Sequence, residues 1–131
     1  MEVLSSRVLI RPVDPARSRV FYRDVLGLAV YREFGGPQSP GTVFFLGQGL
    51  LEVSGHAPEA PAARGAGPGL WLQVRDLAAE HGRLAAAGVA ITRAPRREPW
   101  GLDEMWIADP DGIALVLVEI PADHPLRRDQ R

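Results

Sequence analysis

The chain contains no cysteine and no lysine. The first absence excludes disulfide staples, thiolate nucleophiles and sulfur-ligated metals. The second removes Schiff-base chemistry, since all fifteen basic residues are Arg. Neither sign of charge is in surplus. Fifteen basic and sixteen acidic residues leave a formal net charge of -1, which gives no reason to expect nucleic acid or an anionic membrane as partner. No apolar run reaches the ~18 residues that span a bilayer, and no signal-peptide core follows Met1. The expected location is the cytoplasm. A nucleophile motif of the G-x-S-x-G kind is also missing, and Ser5, Ser6, Ser18 and Ser54 stand outside any such frame.

What is present suits one globular domain. At 131 residues, 46% hydrophobic and 24% charged, the chain is long enough to bury a core. Its most informative stretch runs from Asp103 to Pro121. Asp109-Pro110-Asp111-Gly112 is turn chemistry: Pro presets φ at the second position, and Gly accepts the positive φ that ends the turn. Met105-Trp106-Ile107 reads as the strand entering it. Ile113 to Ile120, the strand leaving it, is almost wholly apolar. That predicts a mid-sheet strand covered on both faces, by a helix on one side and as the floor of a cavity on the other.

Taken from the start, the chain follows one plan twice. Val8 to Val13 reads as a strand. Asp14 as N-cap and Pro15 at the first helical position open a helix that Gly27 ends. Leu28 to Phe34 reads as a strand and Gly35 to Gly41 as a loop. Thr42 to Leu46 and Leu50 to Ser54 form a hairpin around Gly47-Gln48-Gly49. Gly55 to Pro68, rich in Gly, Ala and Pro, reads as a connector. Leu70 to Val74 then repeats the first strand, and Asp76 caps a helix stopped by Gly88. Val89 to Arg93 is a strand, Ala94 to Gly101 a loop, and the hairpin already described closes the domain. Asp14 and Asp76 lie 62 positions apart, and their distances to the terminating glycines are 13 and 12. The organisation is therefore α+β: a module over 4–54, a connector over 55–68, a second module over 69–121 and a loosely held polar tail over 122–131.

Four pieces stand in a specific order. They are Val13-Asp14-Pro15 leading into Phe21-Tyr-Arg-Asp-Val-Leu-Gly-Leu28, the hairpin ending Leu51-Glu52-Val53, Val74-Arg75-Asp76 leading into Leu84-Ala-Ala-Ala-Gly88, and Asp109-Pro-Asp-Gly112. The set covers nearly the whole chain. It resembles the vicinal oxygen chelate superfamily, which includes glyoxalase I, the bleomycin-resistance proteins and the extradiol dioxygenases. The resemblance implies two βαβββ modules, each curling into half a cup of mixed sheet with its helix outside, and two halves enclosing a ligand site. It also implies four metal-ligand places, one seven residues before each capping Asp and one in the last strand of each module. Those places here hold Arg7, Glu52, Gly69 and Val116. Only Glu52 can ligate a metal, whereas a catalytic divalent site needs about three protein ligands. No cofactor is therefore expected.

Alternation along each strand then fixes which side chains face inward. Arg7, Leu9 and Arg11 do so from the first strand, with Leu50, Glu52 and Ser54 from the fourth. Trp71 and Gln73 follow from Gly69, and Ala114 and Val118 from Val116. By similarity to the family's hairpins, Glu104, Trp106, Val43 and Phe45 face in as well. This set has aromatic walls and few charges, as small-molecule sites do. Arg7 and Glu52 are expected to form an ion pair where the metal would sit. Plainer roles stand beside these: Trp71 and Trp106 as core or interface, Glu52 as a vestigial polar group, and Trp100 as surface packing or as a lid. His56, four residues after Glu52, reaches the same face unless Gly55 turns the chain away. His81 belongs on a helix face toward the core or its rim, and His124 in the tail. Arg93, Arg96 and Arg97 read as a solvated loop.

Two classes of function fit. One is a metal-free binding protein, resembling the bleomycin-resistance proteins, that sequesters a hydrophobic or aromatic molecule or antibiotic. Its ligand-binding residues would be Arg7, Leu9, Arg11, Phe45, Glu52, Trp71, Gln73, Glu104, Trp106 and Val116. The other is a lyase, isomerase or oxygenase of the glyoxalase or dioxygenase kind, with Glu52 as catalytic residue and with or without a divalent metal. A homodimer is expected in either case, and a dimeric scaffold without a ligand is the plainest alternative.

Overall fold

The computed structural model describes residues 1–57 and 68–126. Most of the expected connector at 55–68 and the end of the tail lie outside them. The chain divides into two compact units, Met1–Ala66 and Gly67–Arg131. Each carries one four-stranded mixed sheet.

In the first unit, β1 (Val8–Ile10) leads to α1 (Pro15–Val20). Asp14 caps this helix by accepting the Arg17 N–H at 3.1 Å, and Pro15 stands where its missing N–H costs nothing. The helix then widens into a π-helical turn over Phe21–Val25, closed by Leu26 N–H to the Phe21 carbonyl at 2.8 Å. Three antiparallel strands follow, β2 (Val30–Phe34), β3 (Gly41–Leu46) and β4 (Gly49–Val53). The sheet order is β1-β4-β3-β2, with β1 parallel to β4. One face of this sheet buries Ile10, Thr42, Phe44, Leu51 and Val53, with Phe44 in ring contact with Tyr22 at 6.3 Å.

The second unit repeats the plan with β5 (Leu70–Gln73), α2 (Leu77–Ala86), β6 (Ile91–Arg97), β7 (Asp103–Ala108) and β8 (Ala114–Glu119). Its order is β5-β8-β7-β6. Asp76 accepts the Ala79 N–H at 2.9 Å, and the Glu119 carboxylate takes the Leu77 N–H at 2.8 Å. Two orphan donors of the first turn are thereby met, and a negative charge sits at the positive end of the helix. Leu84 is fully buried, as are Met105, Ile107 and Leu115 on the same side of the sheet. Leu115, Val116, Leu117 and Val118 are all buried, so β8 is covered on both faces, as its unbroken apolar run requires. At the turn before it, Asp109 accepts the N–H groups of Asp111 and Ile113, both at 2.8 Å, and Gly112 takes φ +83°.

Two expectations are corrected. Ala94 to Arg97 is not loop but the second half of β6. Pro95 is tolerated there because β6 is the outermost strand and the pairing skips between Arg93 and Arg96, so no ladder bond is lost at the proline. The first strand stops at Ile10, not Val13, because the chain is already turning toward the cap at Asp14.

Candidate functional site

Paired residues of neighbouring strands point to the same side of a sheet, so the register names what lies across each face. In the second unit, Trp71 pairs with Val116, Val116 with Trp106, and Trp106 with Arg93. The next row runs Gln73, Val118, Glu104, Arg96. Both rows lie on the side away from α2. Trp71 is 53% exposed and Trp106 partly exposed, while Val116 and Val118 are buried in a small cluster with Leu102 and Ile120. Two indoles therefore flank a buried valine across three adjacent strands, each about 4.8 Å from the next.

Glu104 is only 6% exposed. One of its oxygens accepts the Trp100 indole N–H at 2.7 Å. Trp100 sits in the tight loop between β6 and β7, which is closed by Glu98 N–H to the Leu102 carbonyl at 2.8 Å and Gly101 N–H to the Glu98 carbonyl at 2.9 Å. His124 braces the loop from the tail. One ring nitrogen meets the Trp100 carbonyl at 3.3 Å and the other accepts the Leu126 N–H at 3.1 Å. The two arginines nearest in register do not reach Glu104. Arg93 and Arg96 both turn onto Glu98, whose side chain is almost fully buried. Burial acts to raise the Glu98 pKa, but the hydrogen bonds and charges of Arg96 and Arg93 outweigh it and hold the carboxyl below its usual range. Arg97 pairs with Asp103. These arginines are thus committed to specific carboxylates, not spread over a solvated loop.

In the first unit the corresponding row is Leu9, Glu52, Val43, Arg32. Arg7 donates to Glu52 at 2.9 Å, the expected ion pair, with side chains 38% and 20% exposed. Phe45, 47% exposed, meets the Tyr31 ring edge-on at 5.2 Å. Arg32 lies over the Phe34 ring at 5.6 Å. Arg11 is exposed just beyond β1. Sequence reading passed over Tyr31 because the inward set took no residue from this strand. Tyr31 lies at a register shift between Val30 and Arg32, with its ring against Phe45. It also passed over Glu98, whose partners were assigned to a loop; an acid two and five residues after two arginines was the available signal.

The ligands named by sequence thus fall into two groups: Arg7, Leu9, Arg11, Phe45 and Glu52 in one unit, and Trp71, Gln73, Glu104, Trp106 and Val116 in the other. Gly69 has little room for a side chain, since a Cβ there would lie 3.0 Å from the Ala114 carbonyl oxygen. His56 is exposed after the turn at Gly55, with its N–H on Ser54 Oγ at 3.1 Å. Among the described residues, no three His, Asp or Glu side chains gather closely enough to hold a metal ion. No described helix is long and apolar enough to cross a membrane. A groove of about 460 Å³ opens on the helix side of the second unit, lined by Leu77, His81, Pro95, Arg97, Asp103 and Glu119. Arg96, at the end of the Gln73 row, also lines it, whereas Trp71 and Trp106 do not.

Against known proteins, residues 5–117 match the family model described as Glyoxalase/Bleomycin resistance protein/Dioxygenase superfamily. Among solved structures, SMU.1112c is 26% identical over 91% of this chain and 99% of its own, with a TM-score of 0.75. TnmS3, an antibiotic binding protein from Streptomyces sp. CB03234, is 25% identical over 92% of this chain and 100% of its own, with a TM-score of 0.71. TioX from Micromonospora sp. ML1 shares the fold at 20% identity and a TM-score of 0.70, over 89% of this chain and 96% of its own. None of the curated proteins searched matches the sequence significantly.

Proposed function

Because this chain belongs to the Glyoxalase/Bleomycin resistance protein/Dioxygenase superfamily, we propose that it is a metal-free binding protein that sequesters a small aromatic molecule. The observation that carries the reading is the row Trp71, Val116, Trp106, with Trp71 left 53% exposed on the helix-free face. Large exposed indoles on a sheet face supply stacking surface, at about 0.5–1.5 kcal/mol per aromatic pair beyond burial. Likeness to an antibiotic binding protein over 92% of the chain supports the same class of ligand.

The metal-free part rests on donors. Of the four family ligand places, Arg7 carries the wrong charge, Gly69 and Val116 offer no donor, and Glu52 is already taken by Arg7. The occupied carboxylate also weighs against Glu52 as a general base. A homodimer is supported by the exposed apolar side chains of Leu9, Val30, Tyr31 and Phe45 in the first unit. A monomer at micromolar concentration in sedimentation equilibrium would reject it.

The test is tryptophan fluorescence against a panel of planar aromatic antibiotics, repeated with Trp71→Phe and Trp106→Phe. Saturable quenching that either variant diminishes is expected. If no compound quenches, the binding reading fails. A stoichiometric Zn, Ni, Mn or Fe in protein purified without chelator overturns the metal-free part and restores the enzyme alternative.

A further inference from the structure

Glu104 is a nearly buried carboxylate with no cationic partner among the described residues. Among the described residues it is bonded by the Trp100 indole alone, through one oxygen. The two arginines that share its end of the sheet are both held by Glu98. A carboxylate placed this way has given up most of its hydration and received one neutral donor in return, which leaves it a strong site for a charged donor. It also stands two residues from Trp106 on one strand, on the same face and about 7 Å along it. Trp71 lies across the sheet from Trp106, with Val116 between them. Indole faces attract cations as well as stack on rings.

Building on the aromatic-binding reading above, we propose that Glu104 is the specificity-determining residue of this face. It selects aromatic ligands that carry a cationic N–H donor, such as the amino group of a protonated aminoacridine, and the Trp100 indole N–H holds that donor's place in the free protein. The ring lies on the Trp71 and Trp106 side, and the donor displaces Trp100 from the carboxylate. The loop that carries Trp100 suits a displaceable strap, because Trp100 itself is 58% exposed and little packing is lost when it moves.

The experiment is isothermal titration calorimetry with 9-aminoacridine, a cation at pH 7.5, and acridine, the neutral ring of the same shape. Wild type is compared with Glu104→Gln and Trp100→Phe. Gln keeps the size and the acceptor for Trp100 but removes the charge. Phe keeps a ring but removes the competing donor. The expected result is a preference of about tenfold for 9-aminoacridine in wild type, lost in Glu104→Gln and kept or increased in Trp100→Phe. Equal binding of both probes to wild type overturns the inference while the aromatic-binding reading stands. Binding of neither overturns both. A preference that survives Glu104→Gln, or that Trp100→Phe abolishes, removes Glu104 or the place-holder from the account, and the proposal falls.

Discussion

Leu9, Glu52, Val43 and Arg32 cross the first unit in the order in which Trp71, Val116, Trp106 and Arg93 cross the second. The outer position is an arginine in both. Between the arginines and the far edge, an aliphatic residue stands for an indole twice, and an acid stands for a valine once. The second unit carries its own acid, Glu104, on a different strand. Glu52 meets a guanidinium in half-exposed surroundings, whereas Glu104 meets an indole and is nearly buried. On the helix sides the units agree far better, with Phe44, Leu51 and Val53 in one and Met105, Ile107 and Leu115 in the other. The repeated backbone thus conserves what the helix must cover. It leaves the other face free to diverge: indoles hold two places of the compared row in the second unit, whereas the exposed rings of the first, Tyr31 and Phe45, stand outside that row.

The sharpest way to break this contrast is truncation on both sides of a sheet. Phe44→Ala and Leu115→Ala remove fully buried side chains and should cost about 3–5 and 2–5 kcal/mol, respectively. Trp71→Ala, on the helix-free face and half exposed, should cost under about 1 kcal/mol while weakening aromatic binding. Urea unfolding midpoints measure all three. A loss for Trp71→Ala equal to the core substitutions would make it a packing residue and remove the division of faces.

Next in size is the difference between buried and exposed carboxylates. Glu98 has its pKa held down by Arg96 and Arg93 against the cost of burial. A lowered folded-state pKa means that its stabilisation is present above the ordinary carboxylate pKa and is lost as pH falls through the lower folded value. Glu98→Gln should therefore be less stable than wild type at pH 7, with the gap closing below about pH 4. Circular dichroism melts across pH 2–7 test this, and a gap that stays constant with pH contradicts the assignment. Asp103 and Asp24 shift in the same direction, each led by its hydrogen bond to a neighbouring arginine, but at more exposed sites where solvent weakens the effect.

These expectations also mark how far the amino-acid order alone could reach. The caps at Asp14 and Asp76, the turn at Asp109 to Gly112 and the covered strand β8 were legible because each is a local rule: a short acceptor before a helix, a positive φ at glycine, an unbroken apolar run. The inward set followed from alternation counted from the family's ligand places. It took nothing from β2, so Tyr31, at a register shift in that strand, went unnoticed. Pro95 read as a loop because proline excludes a paired N–H, and nothing local says that β6 is an edge strand with a register shift there. The Trp100–Glu104 bond joins side chains whose meeting depends on how the loop at Glu98 to Leu102 closes.

The smallest effect belongs to Arg7 and Glu52. Their side chains are partly exposed, so solvent screens the attraction and two flexible groups lose freedom to hold one contact. Arg7→Ala should change stability by only about 0.2–1 kcal/mol, and the change should shrink further in 1 M salt, where the screening length falls to about 3 Å. Denaturant midpoints at low and high salt measure it. A cost well above this range would mean that the pair is sealed from water when the protein is free, so that the first unit, like the second, keeps its acid in a dry setting. The contrast between a neutralised acid and a waiting one would then rest on their partners alone.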